Sequence, residues 1–411
     1  TGVGFVSSHF FVNGPIVKKK LTVMAGGRIA YPKLMMNLFP GDIAKSDAFY
    51  YDGIIKLSCT PDINNRINVT WYNSYDRYRF PGDTSYSWKN NIGSVQWKSN
   101  ISSKFSLNLL GDYSKYVSNI NGLDKTYGYV LSSSIQQKEA KLSFTYNIAE
   151  EQKINFGAVF VHYTIDPGKI SPSDNNSLII HKNIPLENAN EFSAFASAEN
   201  KINKFLQLQL GARFTQYNYL GPRYVYSYEN GKPLSLETIT DSVFYASGKT
   251  IKSFNGFEPR ILLRILFDKS TSLKLSYNKT RQYLHLITNT ISVTPVDYWK
   301  LSDGFITPQT ADQYAAGIFK NFSDNNFETS VEGYYKEINN SVDYKNGASL
   351  SLNPTLETEL LPSKGYAYGA EFSVRKNTGT LTGTASYTYS RTFTKVVTQF
   401  ATEQVNNGAY Y

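Results

Sequence analysis

The residues of this sequence that could do chemistry are concentrated in its second half. Glu258 precedes Arg260 and Arg264 by two and six positions, a spacing that could pair an acid with activating cations. The same spacing places the three side chains on one face of an extended strand, because side chains alternate between faces. Charges held away from water are usually paired. We therefore favour structural ion pairs over a catalytic site, and we expect Arg213, on another predicted strand, to share this role.

Further candidates lie at the end of the next predicted strand and in the long connection after it. Six residues there are candidate ligand contacts: Arg281, Tyr283, His285, Asp297, Tyr298 and Trp299. The first three could instead anchor the connection. The aromatic pair in the loop could stack on sugars or other flat ligands, or could belong to a loop that packs on itself. The sequence leaves both alternatives open.

The composition excludes several classes of function. A single cysteine, Cys59, rules out an intrachain disulfide framework and a cysteine-based zinc site. The four histidines are scattered, and no nucleophile–base pair is visible, so we predict no enzyme, no catalytic residue, no metal and no cofactor. The net charge of +9 comes from dispersed Lys and Arg residues without a nucleic-acid motif. Anionic lipid headgroups explain that charge better than nucleic acid does.

The elements that would position these residues are strands with one apolar and one polar face. In the stretch 254–267, Phe257, Ile261 and Leu263 alternate with charged residues, and a polar turn leads into a second alternating strand. No run of 18 or more apolar residues exists, which excludes a helical membrane span. An apolar outside and a wet inside predict a transmembrane, antiparallel, up-and-down β-barrel. The aromatic share of 15% fits interfacial girdles.

The connections between strands alternate in length. We expect short polar turns near residues 15, 62, 100, 150, 201, 269, 323 and 378. The longest connections are 165–190, 218–252, 284–309 and 344–364. Short periplasmic turns and long external loops are typical of outer-membrane barrels. The pattern predicts about 16 to 18 strands in one domain over 1–411, whereas a propeller would have more even loops.

Several segments together resemble the barrel of TonB-dependent outer-membrane receptors. The likeness is densest from 254 to 395 and is nearest to the branch with a carboxypeptidase-regulatory-like domain, which includes SusC-like transporters. The segments are Phe257-Glu258-Pro259-Arg260-Ile261, Ser276-Tyr277-Asn278-Lys279-Thr280-Arg281-Gln282-Tyr283-Leu284-His285-Leu286, Pro308-Gln309-Thr310-Ala311-Asp312-Gln313, Val331-Glu332-Gly333-Tyr334-Tyr335-Lys336, Gly365-Tyr366-Ala367-Tyr368-Gly369-Ala370-Glu371-Phe372, Ser386-Tyr387-Thr388-Tyr389-Ser390-Arg391 and Gly14-Pro15-Ile16.

The resemblance implies a barrel of about 22 strands, closed by a plug domain, that imports a nutrient with TonB-derived energy. We expect this chain to be an incomplete barrel, without the plug and the final strands, whose charged residues would face the plug. The implied partners are outer-membrane lipid, the plug, TonB, and a surface lipoprotein or other subunits of a Gram-negative outer membrane. A structural subunit of a larger assembly and a passive porin are the alternatives.

Overall fold

The computed structural model describes residues 1–82, 84–287, 297–322 and 325–411. Strands β1 to β22 cover Gly2–Val3, Ser7–Val17, Leu21–Ala30, Asp47–Asp62, Asn65–Arg79, Thr84–Asn100, Phe105–Gly122, Tyr129–Ala149, Gln152–Pro172, Lys182–Asn183, Glu187–Asn203, Leu206–Leu220, Arg223–Tyr228, Ile239–Tyr245, Thr250–Leu266, Thr271–Gln282, Leu284–Ile287, Tyr298–Leu301, Gln309–Phe322, Phe327–Tyr344, Leu360–Lys376 and Gly383–Val396. The short helices α1 and α2 cover Lys33–Met36 and Asp42–Lys45, and 3₁₀ turns cover Leu236–Thr238, Leu356–Thr358, Ala401–Glu403 and Asn406–Gly408. None of the helices in the described part of the chain has the length and hydropathy of a membrane span.

One sheet of 18 antiparallel strands forms most of the molecule. Apart from the two-residue strands β1 and β10, the sheet has 16 long strands, and each pairs with the next one in chain order. The hairpins β13–β14 and β17–β18 form separate two-stranded sheets within the connections. Within the described residues, β2 and β22 each have one long-strand neighbour. The predicted all-β, up-and-down architecture and its strand number are confirmed.

The two faces of the sheet differ as the alternation predicts. On β15, Phe257 is 57% exposed and Glu258 is buried. Large exposed apolar residues occur on the same face of strands along the sheet: Val69, Trp71, Val95, Leu109, Phe156, Phe192, Phe214, Ile261, Ile318, Val331, Phe372 and Tyr387. A soluble protein rarely exposes so large an apolar surface. Lipid contact is the physical reason for such a band on a barrel.

The opposite, polar face carries a row of hydrogen-bonded neutral side chains on β4 to β8, which we call the amide ladder. The Ser58 hydroxyl donates to Asn68 Oδ1 (2.8 Å), and Asn68 Nδ2 donates to Gln96 Oε1 (3.4 Å). Gln96 Nε2 then donates to Asn108 Oδ1 (2.9 Å), and Asn108 Nδ2 to Ser143 Oγ (3.3 Å). The ladder links five strands without a charge.

The turn expected near Gly14-Pro15-Ile16 was wrong. These residues lie inside β2, and the chain turns at Lys18–Lys20, where Lys19 has φ 63°. Proline cannot donate to a ladder and is tolerated where one side of a strand is unpaired, and among the described residues only β3 pairs with β2 at Pro15. The turns expected near 62, 100, 150, 269 and 378 separate consecutive long strands. Residues 323 and 324, where another turn is expected, lie outside the described residues.

Candidate functional site

The charged wall lies on the polar face of β11, β12 and β15. It consists of Glu191, Arg213, Glu258 and Arg260. Arg213 Nη2 lies 2.8 Å from Glu191 Oε1 and forms a cross-strand ion pair. The buried Glu258 carboxylate accepts a 3.5 Å hydrogen bond from the Thr215 hydroxyl and lies 4.0 Å from Arg260 Nη2. Ionised side chains so close to one another can bind a complementary group or stabilise the wall itself.

The four residues that the sequence predicts as ion pairs of the polar face do share one face: Arg213, Glu258, Arg260 and Arg264. Their partners, however, differ from the expectation. Arg213 pairs with Glu191, a residue that is not among the sequence-predicted candidates. Because Phe192 is exposed on the apolar face, its neighbour Glu191 belongs to the polar face, and the alternation could have identified it. Arg264 donates to Gln207 at 3.4 Å, and no ion pair of Arg264 is seen among the described residues. The assignment to a plug-facing role stays a prediction.

Arg281 and Tyr283 lie beside the charged wall at the end of β16. A methyl group added at Gly256 would lie 2.4 Å from Arg281 Cδ, so the glycine permits this close approach. The ring of Tyr283 stacks on Tyr217, with centroids 4.5 Å apart and planes 6° apart. The described residues offer no hydrogen-bond partner to the buried Arg281 Nε or to the buried Tyr283 hydroxyl. Buried polar atoms in this state are uncommon and mark an incomplete network.

A second group of charges lies where the long connections meet the sheet, and we call it the buried ion cluster. It consists of Glu187, Arg223, Lys300 and Asp303. Lys300 Nζ lies 2.6 Å from Glu187 Oε1 and 2.7 Å from Asp303 Oδ2, and Arg223 Nη1 lies 2.8 Å from Glu187 Oε1. The Lys300 and Glu187 side chains are each 1% exposed. Two acids and two bases balance, so the cluster is neutral as a whole.

Lys300 and Asp303 stay charged despite their burial. Burial alone would lower the pKa of Lys300, but Asp303 and Glu187 outweigh it and raise that pKa. Burial would raise the pKa of Asp303, but Lys300 and two backbone N–H groups lower it instead. His285 differs, because burial and the nearby Lys300 lower its pKa to about 4. The neutral His285 ring contacts the Ser302 hydroxyl through Nε2 at 2.8 Å.

The remaining predicted ligand contacts are packed against other residues of the protein, in the connection between β16 and β19. Asp297 is buried, Trp299 packs on the core around Tyr217 and Leu301, and Tyr298 packs on the core around Ile287. Residues 288–296 of the connection between β17 and β18 lie outside the described residues. The burial matches the alternative of a loop packed on itself. Ligand contact by these side chains stays a prediction.

A cavity of about 420 Å³ opens beside the charged wall, and a larger one of about 620 Å³ lies between the long connections. The larger cavity is bounded by connections after β12, β16 and β20 and by residues 397–403. Its lining includes Glu357, which accepts a 3.0 Å hydrogen bond from Tyr228, and Glu403, which pairs with Lys345 at 2.8 Å. Burial raises the pKa of Glu357. Within the described part of the chain, no cluster of His, Cys, Asp or Glu could hold a metal ion.

Comparison with known proteins identifies the architecture. Residues 37–410 match the family model described as TonB dependent receptor-like, beta-barrel. The chain is similar to the copper transporter OprC (TM-score 0.68, 12% identity, covering 95% of this chain and 61% of that one). It is also similar to the iron transporter FrpB from Neisseria meningitidis (TM-score 0.66, 11% identity, covering 97% of this chain and 61% of that one). The chain is likewise similar to the alcaligin receptor FauA from Bordetella pertussis (TM-score 0.62, 11% identity, covering 95% of this chain and 59% of that one).

The extent of these matches sets what they establish. Identities of 11–12% show a shared fold alone, and the chain spans about three fifths of the length of these three proteins, 59–61%. A search of curated protein sequences finds no match. The family model, however, covers nearly the whole chain. The chain therefore belongs to the TonB-dependent receptor-like β-barrel family.

Proposed function

We propose that this chain is the barrel portion of an outer-membrane transporter that imports a nutrient with energy supplied through TonB. Receptors of this family lie in the outer membrane of Gram-negative bacteria. The observation that carries the proposal is the contrast between the two faces of one sheet. Phe257 is exposed on the apolar face, where lipid would cover it. Its neighbour Glu258 is buried on the polar face, 4.0 Å from Arg260.

The charged wall would face a plug domain in the complete protein. Arg213, Glu258, Arg260 and Arg264 lie on the polar face, together with buried donors that the described residues leave without acceptors. A partner with carboxylate or carbonyl groups would complete this network, because hydrogen bonds to charged groups stabilise more than neutral ones do. Energy from TonB would then be spent on breaking such contacts.

Capture of the nutrient would take place among the long connections. The cavity of about 620 Å³ lies there, within the usual size of small-molecule sites. Arg281, Tyr283 and His285 do not line this cavity, and they would contact a ligand there only after the hairpin β17–β18 moves. A SusC-like substrate preference and a surface lipoprotein partner belong to the same proposal.

Uptake measurements would test this function. Cells carrying the complete gene would be supplied in turn with a labelled ferric catecholate, cobalamin and a maltooligosaccharide, with and without functional TonB. We expect uptake of one compound that requires both the gene and TonB. Uptake that persists without TonB would instead identify a passive porin. Loss of an outer-membrane assembly on gene deletion, with unchanged uptake, would identify a structural subunit.

A further inference from the structure

The hairpin β17–β18 lies between two hydrophobic clusters that belong to different parts of the wall. On one side, Tyr283 and Leu301 are buried with Ile165, Ala189 and Tyr217 of strands β9, β11 and β12. On the other side, the hairpin contributes to a second core, formed with the connection that follows β20: Ile287, Tyr298, Ile306, Leu350, Leu356 and Leu360. The hairpin therefore links strands that are distant along the sheet.

A single carboxylate holds this hairpin and a second one. Glu187 Oε2 accepts a 3.0 Å hydrogen bond from the Leu301 amide, and its Oε1 accepts from Lys300 Nζ at 2.6 Å. The same Oε1 accepts from Arg223 Nη1 at 2.8 Å. Lys300 and Leu301 end β18, whereas Arg223 begins β13 in the connection after β12. Glu187 itself is the first residue of β11 and belongs to the wall.

The burial of this network makes its bonds hard to replace. Water cannot take over for a lost partner while the side chains remain buried, and an unpaired buried charge is strongly destabilising. Asp303 would compensate Lys300 in part if Glu187 were lost, because it lies 2.7 Å from Nζ. Among the described residues, Arg223 has no second acid within 4 Å. Glu187 is therefore the common support of two hairpins that otherwise come from separate connections.

We propose that Glu187 is a latch that fastens the hairpins β13–β14 and β17–β18 to the wall, so that its release loosens both. The latch would govern access between the long connections and the polar face of the sheet. This inference goes beyond the proposed function and does not depend on any transported compound. It assigns a role to a buried acid that no pairing or motif in the sequence singles out.

Amide hydrogen exchange on the full chain in detergent would test the latch. In Glu187→Gln, exchange should rise by at least about tenfold in both segments 223–228 and 298–303, because both lose the same anion. In Lys300→Met only segment 298–303 should exchange faster, and in Arg223→Met only segment 223–228. These two variants keep the test valid if Glu187→Gln does not assemble.

The matched control is Glu191→Gln, on the same strand and the same face. It breaks the ion pair with Arg213, and neither hairpin should change its exchange. Unchanged exchange of both segments in an assembled Glu187→Gln would overturn the latch and assign the docking to apolar packing alone. Loosening of both segments in each of Lys300→Met and Arg223→Met would also overturn it, since the hairpins would then depend on each other rather than on Glu187.

Discussion

The amide ladder on β4–β8 and the charged wall on β11, β12 and β15 share the polar face. They differ in how far their polar side-chain atoms find hydrogen-bond partners. Asn108 and Ser143 of the ladder lie in the same register row as Arg213 and Glu258, through Gly157 and Phe195. The ladder is neutral, and its side chains bond to one another.

The hydrogen bonding on and around the charged wall is less complete. Three buried polar side-chain atoms lack a partner among the described residues, and they lie on β15 or beside the charged wall at the end of β16: Arg264 Nε, Arg281 Nε and Tyr283 Oη. A neutral row can be satisfied within the wall, whereas guanidinium groups offer more donors than the neighbouring strands accept. The comparison indicates that the donors on and beside the charged wall are arranged to bind a group that the strands of the sheet do not supply.

The largest expected effect follows from removing a charge from the charged wall. Arg213→Met should lower the free energy of unfolding by about 3 kcal/mol or more, because Glu191 would remain buried without its cation. Urea unfolding in lipid vesicles would measure this. The double variant Arg213→Met with Glu191→Met should recover most of the loss, and a double variant as unstable as the single would contradict the ion-pair explanation.

Acid should loosen the hairpin β17–β18 and leave the ladder unchanged. The pKa of His285 is about 4 when the hairpin is closed, below its usual value near 6.5. The opened form therefore binds the proton more readily, so the stabilisation is complete above about pH 6.5 and is lost as the pH falls towards 4. The full loss would be about 3 kcal/mol.

The groups that face His285 are Ser302 by contact and Lys300, Asp303 and Glu187 by charge. Hydrogen exchange of segment 298–303, corrected for the intrinsic effect of pH, should rise between pH 7 and 4.5. The ladder segments contain no such histidine and serve as the internal reference. A His285→Gln variant that loosens by the same amount in acid would exclude this residue as the cause.

A smaller effect is expected in the ladder. Asn68→Leu should cost about 1–3 kcal/mol, because it leaves the buried Ser58 hydroxyl without its acceptor. The double variant Ser58→Ala with Asn68→Leu removes both partners and should be less destabilised than the single variant. A loss equal to that of Arg213→Met would remove the energetic distinction between the two sides.

The smallest effect is expected for an exposed ion pair. Lys153 and Glu199 lie 2.9 Å apart near a short turn, with side chains 44% and 39% exposed. Lys153→Gln should change stability by less than about 1 kcal/mol, because water screens exposed pairs. The same unfolding measurement provides a baseline for the buried pair, and an equally large loss would show that burial does not decide the strength of these pairs.

The fold could be predicted from the sequence because strand alternation is local. The exposure of Phe257 and the burial of Glu258 follow from adjacent positions in one strand. Glu191 could have been assigned to the polar face by the same rule. Pro15 lies within β2, where only β3 pairs with it among the described residues, and this depends on pairing across the sheet that is not visible locally.

The buried ion cluster could not be predicted, because its contacts join distant parts of the chain. Lys300 and Glu187 are 113 positions apart, and Tyr217 donates to the Ser302 carbonyl 85 positions away. No periodic pattern links such residues, since their meeting depends on how the long connections fold against the wall. The candidate contacts around His285 were found by residue type, but their burial follows only from that packing.

TonB-dependent uptake by two matched variants would test most directly whether the charged wall, rather than the amide ladder, serves transport. Arg260 on that side is 56% exposed, and Lys56 lies on the polar face of β4 two residues from Ser58 of the ladder. Arg260→Gln and Lys56→Gln each exchange a cation for an amide, and both should assemble. We predict that Arg260→Gln lowers TonB-dependent uptake severalfold while Lys56→Gln retains it. Equal uptake by both variants would contradict the account.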